Sequence, residues 1–230
     1  MQSKEQMLQA LVFDFDGLIL DTEWPEFQVW QELCLEYQVE LALETWLPCI
    51  GTGATTKVFD PHTYLEAQIG YALNRVEIAA RCRLRNRALI DAQPILPGVE
   101  ALLHEAKRRG LGLAVASSST RTWVDGHLQR LGLAQYFDLL ICGSEVARTK
   151  PYPDLYLAAL SQLGVSASQA IAFEDSLNGM RAAQQAGIFC IVVPNLLTQH
   201  LVFEPLDLQL PSLAGVTLDE LVIHWAHKGG

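Results

Sequence analysis

Four short stretches of this chain carry side chains that could do chemistry together. Asp14 and Asp16 stand two apart in Phe13-Asp14-Phe15-Asp16-Gly17, at the end of an apolar run. In extended chain that spacing projects both carboxylates to one side. Paired acids repel each other, so the placement points to a bound metal or to proton sharing, with an acidic turn or helix cap as the plainer alternative. Glu174 and Asp175 follow a second apolar run, ahead of Ser176 and Gly179. Two acidic strand tips in one parallel sheet converge on one edge and offer the hard oxygen donors that suit Mg²⁺. Asp175 or Ser176 would equally cap the next helix, and capping and metal binding are compatible.

Ser117, Ser118 and Ser119 close a third apolar run just before a helical pattern. Hydroxyls and free N–H groups at such a junction bind anions, although capping alone accounts for a serine there. Lys150 lies in Thr149-Lys150-Pro151-Tyr152-Pro153-Asp154, where prolines set a turn into a helix. A lysine held there reaches the same edge and can pair with phosphate and carboxylate; taken alone it is a solvated charge.

These groups need a frame that brings them together. Apolar, β-rich runs at 10–15, 111–116, 139–142, 170–173 and 188–193 read as strands buried on both faces. Helical patterns at 98–109, 122–131, 154–163 and 177–186 lie between them, several ending at glycine. The alternation predicts a doubly wound parallel α/β sheet. From 23 to 92 the rhythm breaks. Phe27, Trp30, Leu33, Cys34 and Tyr37 share one helical face, 77–90 reads as another helix, and no buried strand is evident. The expected organisation is an α/β core of residues 1–22 and 93–230 with an α-helical cap, 23–92, inserted over the ligand crevice.

Composition narrows the function. Of 230 residues half are hydrophobic and 18% are charged, the balance of a folded globular chain. The formal net charge of −10 argues against sequence-independent nucleic-acid binding, and any phosphate must be met by local cations or a metal. No apolar run reaches 18 residues, so no membrane span or signal peptide is expected. Cys34, Cys49, Cys82, Cys142 and Cys190 form no C-x-x-C pair, which reads as reduced thiols in a cytoplasmic protein.

Taken in order, the four stretches resemble the motifs of the haloacid dehalogenase superfamily. Asp14-Phe15-Asp16-Gly17, with Asp21 beyond it, is similar to the first motif, and Ser117 to the second. Lys150-Pro151 is similar to the third, and Glu174-Asp175-Ser176 with Gly179 to the fourth. The insert resembles the small helical cap of the phosphatase and β-phosphoglucomutase branch. The resemblance implies phosphoryl transfer, with Asp14 as nucleophile and Asp16 as the acid and base. It implies Mg²⁺ on Asp14, Asp16 through its backbone carbonyl, and Asp175, with Glu174 as ligand or close support. Ser117, Ser118, Gly17 and Lys150 would hold the phosphoryl oxygens. Dehalogenases generally lack the second aspartate, so Asp16 favours phosphate esters.

The mutase branch carries a histidine five residues after the last aspartate of the first motif, where this chain has Glu26, and an arginine near 51–56, where it has none. The expectation is therefore a phosphatase of a small phosphorylated metabolite, a sugar phosphate in the first instance, as a monomer or weak homodimer. A phosphosugar mutase is the runner-up. A phosphoacceptor domain or a non-catalytic binding protein is a more distant reading. Glu26, and one of Arg81, Arg83, Arg85 and Arg87, are candidates to contact substrate from the cap, the arginine run reading more plainly as a solvated helix face. His224 and His227 offer a weak metal pair.

Overall fold

A computed structural model describes residues 7–47 and 59–228. Six parallel strands form one sheet: β1 (Ala10–Phe13), β2 (Gly112–Ser117), β3 (Leu139–Cys142), β4 (Ala170–Glu174), β5 (Phe189–Val192) and β6 (Leu208–Gln209). Their order is β3-β2-β1-β4-β5-β6. The chain winds outward from β1 through β2 and β3, then crosses back and continues on the other side from β4. The reversal falls between β1 and β4, and a doubly wound sheet opens its ligand crevice at the carboxyl ends of the strands flanking that point.

Period-2 alternation sends each strand's side chains to two different cores. Leu11, Phe13, Ile171 and Phe173 enter the bulkier one, where the Phe13 and Phe173 rings stack 4.7 Å apart. It is covered by α5 (Val99–Arg108), α6 (Arg121–Arg130) and α9 (Leu218–Lys228). Ala10, Val12, Ala114, Ala116, Ala170 and Ala172 face the other side. Those small residues leave room for α7 (Asp154–Leu163) and α8 (Leu177–Gln185) to pack close to the backbone. The alternating faces are those expected of strands buried on both sides. The two-residue β6 had no sequence expectation.

Residues 23–91 contribute no strand among the described residues. They form α1 (Glu23–Glu36), the short α2 (Leu43–Trp46), α3 (Pro61–Ile69) and α4 (Arg75–Asp91). Phe27, Trp30, Leu33, Cys34, Leu41, Trp46, Leu65 and Ile78 make a separate apolar cluster for these helices, joined from the sheet side by Leu197. The chain leaves and re-enters the α/β part side by side: Leu20 bridges Ile95, and Leu96 N donates to Ile19 O at 2.9 Å. Cys34, Cys82, Cys142 and Cys190 are free thiols; Cys49 and the 51–56 stretch lie outside the described residues. No helix among the described residues is long and apolar enough to cross a membrane.

Candidate active site

Asp14 is the first residue beyond β1, and its N–H donates to Phe173 O of β4 at 2.9 Å, which ties it to the reversal point. Glu174 ends β4 and Asp175 follows it, 0% and 1% exposed. Carboxylate oxygens of Asp14, Glu174 and Asp175 lie within 4.8 Å of one another. Lys150, from the β3–α7 connection, bridges two of the three, with Nζ 2.7 Å from Asp14 Oδ1 and 2.7 Å from Glu174 Oε1. The predicted convergence of two acidic strand ends and one lysine is therefore present.

Electrostatics at this edge is dominated by burial. Burial, then repulsion from Glu174, raises the Asp14 carboxyl well above its ordinary value against the opposing pull of Lys150. Burial, then the neighbouring Glu23, Asp14 and Glu174, does the same to Asp175. Burial works against the Lys150 ammonium, but Asp14 and Glu174 outweigh it and hold the proton more firmly than usual. One ammonium against three buried carboxylates leaves negative charge uncompensated, and all the donors are oxygens. That set fits Mg²⁺, which would neutralise the excess.

The support around these groups is specific. Tyr156 of α7, fully buried, donates its hydroxyl to Glu174 Oε1 at 2.5 Å. Asn195, just past β5, donates Nδ2 to Asp175 Oδ2 at 2.8 Å and to Glu23 Oε2 at 3.3 Å. Gly17 takes a φ of +78°, and a Cβ there would stand 2.1 Å from Asp175 Oδ2, so both conformation and space require glycine. Ser176 accepts from Gly179 N at 3.2 Å and caps α8, leaving Asp175 free of that duty.

Asp16 has partners of its own. Strand pairing ends at Phe13, so the i, i+2 rule no longer governs, and the two aspartates aim at different partners. Asp16 Oδ1 accepts from Thr22 Oγ1 at 3.0 Å and Trp123 Nε1 at 2.9 Å. Its Oδ2 accepts from Ser119 Oγ at 2.6 Å and Ser117 Oγ at 3.3 Å. The Asp16 carboxylate is not part of the buried metal-competent group.

Of the serine run, Ser117 is buried and also accepts from Ser119 N at 3.0 Å, whereas Ser118 is exposed. Ser119, not Ser118, reaches Asp16. On the helical side Glu26 is exposed, and desolvation by the surrounding protein raises its carboxyl. Glu23 is more enclosed, and burial pushes it up to about 7 against the hydrogen bond from Asn195. Arg81 pairs with Glu36 at 2.7 Å and Arg85 with Glu32 at 2.9 Å, fastening α4 to α1. Arg87 pairs with Asp91 along its own helix. None of these three is aimed at the acidic cluster. His227 Nδ1 bonds Ile223 O within α9, the ordinary contact of a helical tail.

Sequence reasoning missed Tyr156, Asn195 and Trp123, named Ser119 only within the serine run as an anion donor, and assigned no role to Glu23. Ser119 had a visible signal in the serine run, and Asn195 one in its place just past an apolar strand run.

Comparison with known proteins agrees with this geometry. The family model of the haloacid dehalogenase-like hydrolases matches residues 11–193. The chain belongs to this family. Among curated relatives, "Putative phosphatase YhcW" of Bacillus subtilis is 45% identical over 218 residues, covering 95% of this chain and 98% of that protein. Hexitol phosphatase B of Escherichia coli is 30% identical over 224 residues, covering 96% and 99%. The crystal structure of CbbY from Rhodobacter sphaeroides in complex with phosphate superimposes with a TM-score of 0.65 at 31% identity, covering 91% and 96%. This member of the haloacid dehalogenase-like family is a phosphoric monoester hydrolase by the evidence of its relatives.

Proposed function

We propose that this hydrolase is a Mg²⁺-dependent phosphatase that removes phosphate from a small phosphorylated metabolite, a sugar or polyol phosphate, through an aspartyl phosphate on Asp14. The observation that carries this is the division of labour between the two aspartates. Asp14 sits among Lys150, Glu174 and Asp175 at the sheet edge, and Asp16 is held apart by hydroxyl and indole donors.

In the first step an Asp14 oxygen attacks phosphorus, the bond to the leaving oxygen breaks, and Asp16 gives that oxygen its proton. In the second, water attacks the phosphoryl group, Asp16 takes a proton from it, and the Asp14–phosphorus bond breaks to release inorganic phosphate. The balance is ester plus water to alcohol plus phosphate. Lys150 favours the ionised form of Asp14 against the effect of burial and stands where charge develops. Asp14, Asp175 and Glu174, with the Asp16 carbonyl, would hold Mg²⁺, which supplies charge neutralisation to a dianionic phosphoryl group. Ser117, Gly17 and neighbouring amides would receive the phosphoryl oxygens.

The core grips only phosphate, so the helical insert, residues 23–92 acting as a cap on a core of 1–22 and 93–230, would choose the rest of the substrate. Glu23 and Glu26 offer acceptors suited to hydroxyls, which supports a polyol or sugar; the name of the hexitol phosphatase relative points the same way. A cytoplasmic setting with reduced thiols completes the reading.

Asp14→Asn changes one atom and should abolish turnover of p-nitrophenyl phosphate while leaving the fold, judged by circular dichroism, intact. Retained turnover would remove Asp14 from its role. With the parent enzyme and hexose phosphates, inorganic phosphate is the expected product. An isomeric sugar phosphate formed only with a bisphosphate primer would overturn hydrolysis in favour of a mutase.

A further inference from the structure

Among the described residues one aromatic side chain donates a hydrogen bond to Asp16, and it comes from 107 residues further along the chain. Trp123 lies in the first turn of α6, and its Nε1 donates to Asp16 Oδ1 at 2.9 Å. The other three donors, on Thr22, Ser119 and Ser117, are hydroxyls. A hydroxyl rotates freely and both gives and takes hydrogen bonds, so it can turn to a substrate or water. An indole N–H only donates, and it does so from a rigid plate with two side-chain torsions.

The plate is itself held. Its edge meets the His127 ring at 4.3 Å between centroids, and His127 in turn lies over Phe15, the residue between the two aspartates, at 6.2 Å. On the other side the Arg87 guanidinium of α4 stands 6.0 Å from the indole centroid. Arg130, one α6 neighbour away, donates to the Asp91 carbonyl at 2.9 Å and so grips the C-terminal end of α4. Trp123 is thus wedged between the loop that carries the aspartates and the last turns of the helical insert.

We propose that Trp123 is the positioning residue of Asp16, fixing the carboxylate by its Oδ1 so that the other oxygen presents its proton in one direction. The inference rests on the phosphatase reading, in which Asp16 protonates the leaving oxygen. Trp123 meets Asp16 at the side-chain carboxylate and not at the backbone carbonyl assigned to the metal, so it acts through the acid. Its loss should therefore matter in proportion to how much the leaving group needs a proton.

The test compares p-nitrophenyl phosphate, whose phenolate departs unaided, with phenyl phosphate, whose more basic leaving group benefits from a proton. Both are read as kcat/KM, which reports the step that forms the aspartyl phosphate. Trp123→Phe keeps a ring and deletes the donor. It should lower kcat/KM for phenyl phosphate at least about fivefold more than for p-nitrophenyl phosphate, a fraction of the roughly 10²–10⁴ that a general acid supplies. Trp123→Leu, also without an N–H, replaces it should the phenylalanine chain fail to melt cooperatively. Asp16→Asn is the reference and should show the larger split. A split in Asp16→Asn with none in a folded Trp123 variant overturns the role of Trp123 alone. No split in Asp16→Asn overturns the assignment of Asp16 as acid, and the role of Trp123 with it.

Discussion

A Cβ added to Gly179 would stand 1.8 Å from Glu174 Oε2. The carboxylate cannot retreat, because Lys150 and Tyr156 hold its other oxygen and the side chain is wholly buried. In an exposed helix Gly→Ala gains about 1 kcal/mol from propensity. Here overpacking of about 1–3 kcal/mol opposes it, and the displaced group is a charged one. Gly179→Ala should lower the melting temperature and reduce the further rise produced by Mg²⁺, both read in one pair of thermal scans.

Tyr156→Phe removes a hydroxyl from Glu174 Oε1 and leaves the ring in place. The cost should be about 1–2 kcal/mol, the price of a buried charged acceptor losing one of two donors. Urea denaturation of the two proteins at pH 7.5 checks it; an unchanged midpoint would show that the hydrogen bond adds nothing net.

Glu23 predicts a pH dependence with a definite sign. Its folded value is about 7 against an ordinary 4.5, raised chiefly by burial. A carboxyl raised on folding contributes stability that is full below its unfolded value and is lost as pH rises through the folded one. Glu23→Gln keeps the acceptor for Asn195 and cannot ionise. In chelator, the variant and the parent should melt alike near pH 4.5. Above pH 7 the variant should be the more stable, by an amount on the order of 2 kcal/mol.

Arg81 and Arg85 sit in exposed ion pairs with Glu36 and Glu32, well away from the acidic cluster by their partners. Substituting either by Ala should leave KM for any phosphate ester unchanged and shift the melting temperature little, with the shift shrinking in high salt. A rise in KM would mean that the arginine leaves its glutamate to grip substrate.

Much of this arrangement could be read from the residues alone, and the limit has a physical cause. Asp14, Lys150, Glu174 and Asp175 were legible because each abuts an apolar strand or a proline-set turn, and parallel topology gathers such ends on one edge. The aim of Asp16 was not, since the i, i+2 rule holds only while the strand continues, and pairing stops at Phe13. Trp123 and Tyr156 read as ordinary helical aromatics, and which polar tip finds which carboxylate depends on tertiary packing. The arginine run looked like the densest cationic surface, but Arg81 and Arg85 pair between helices with partners 45 and 53 residues away in sequence, and Arg87 pairs within α4.

The paired crossings at Leu20–Ile95 and Ile19–Leu96 have a mechanical consequence. Two tethers zipped together act as one, so any turn of helices α1 to α4 against the sheet would pivot on the line they share and would have to release Glu23 from Asn195. Asp16 lies four residues before that line and Glu23 three residues after it. A rotation there would carry Glu23 through an arc while Asp14, anchored on the sheet, stayed still. The enclosure of the cleft would then be governed by an axle, with Arg130 of α6, which holds the Asp91 carbonyl at the end of α4, as its brake.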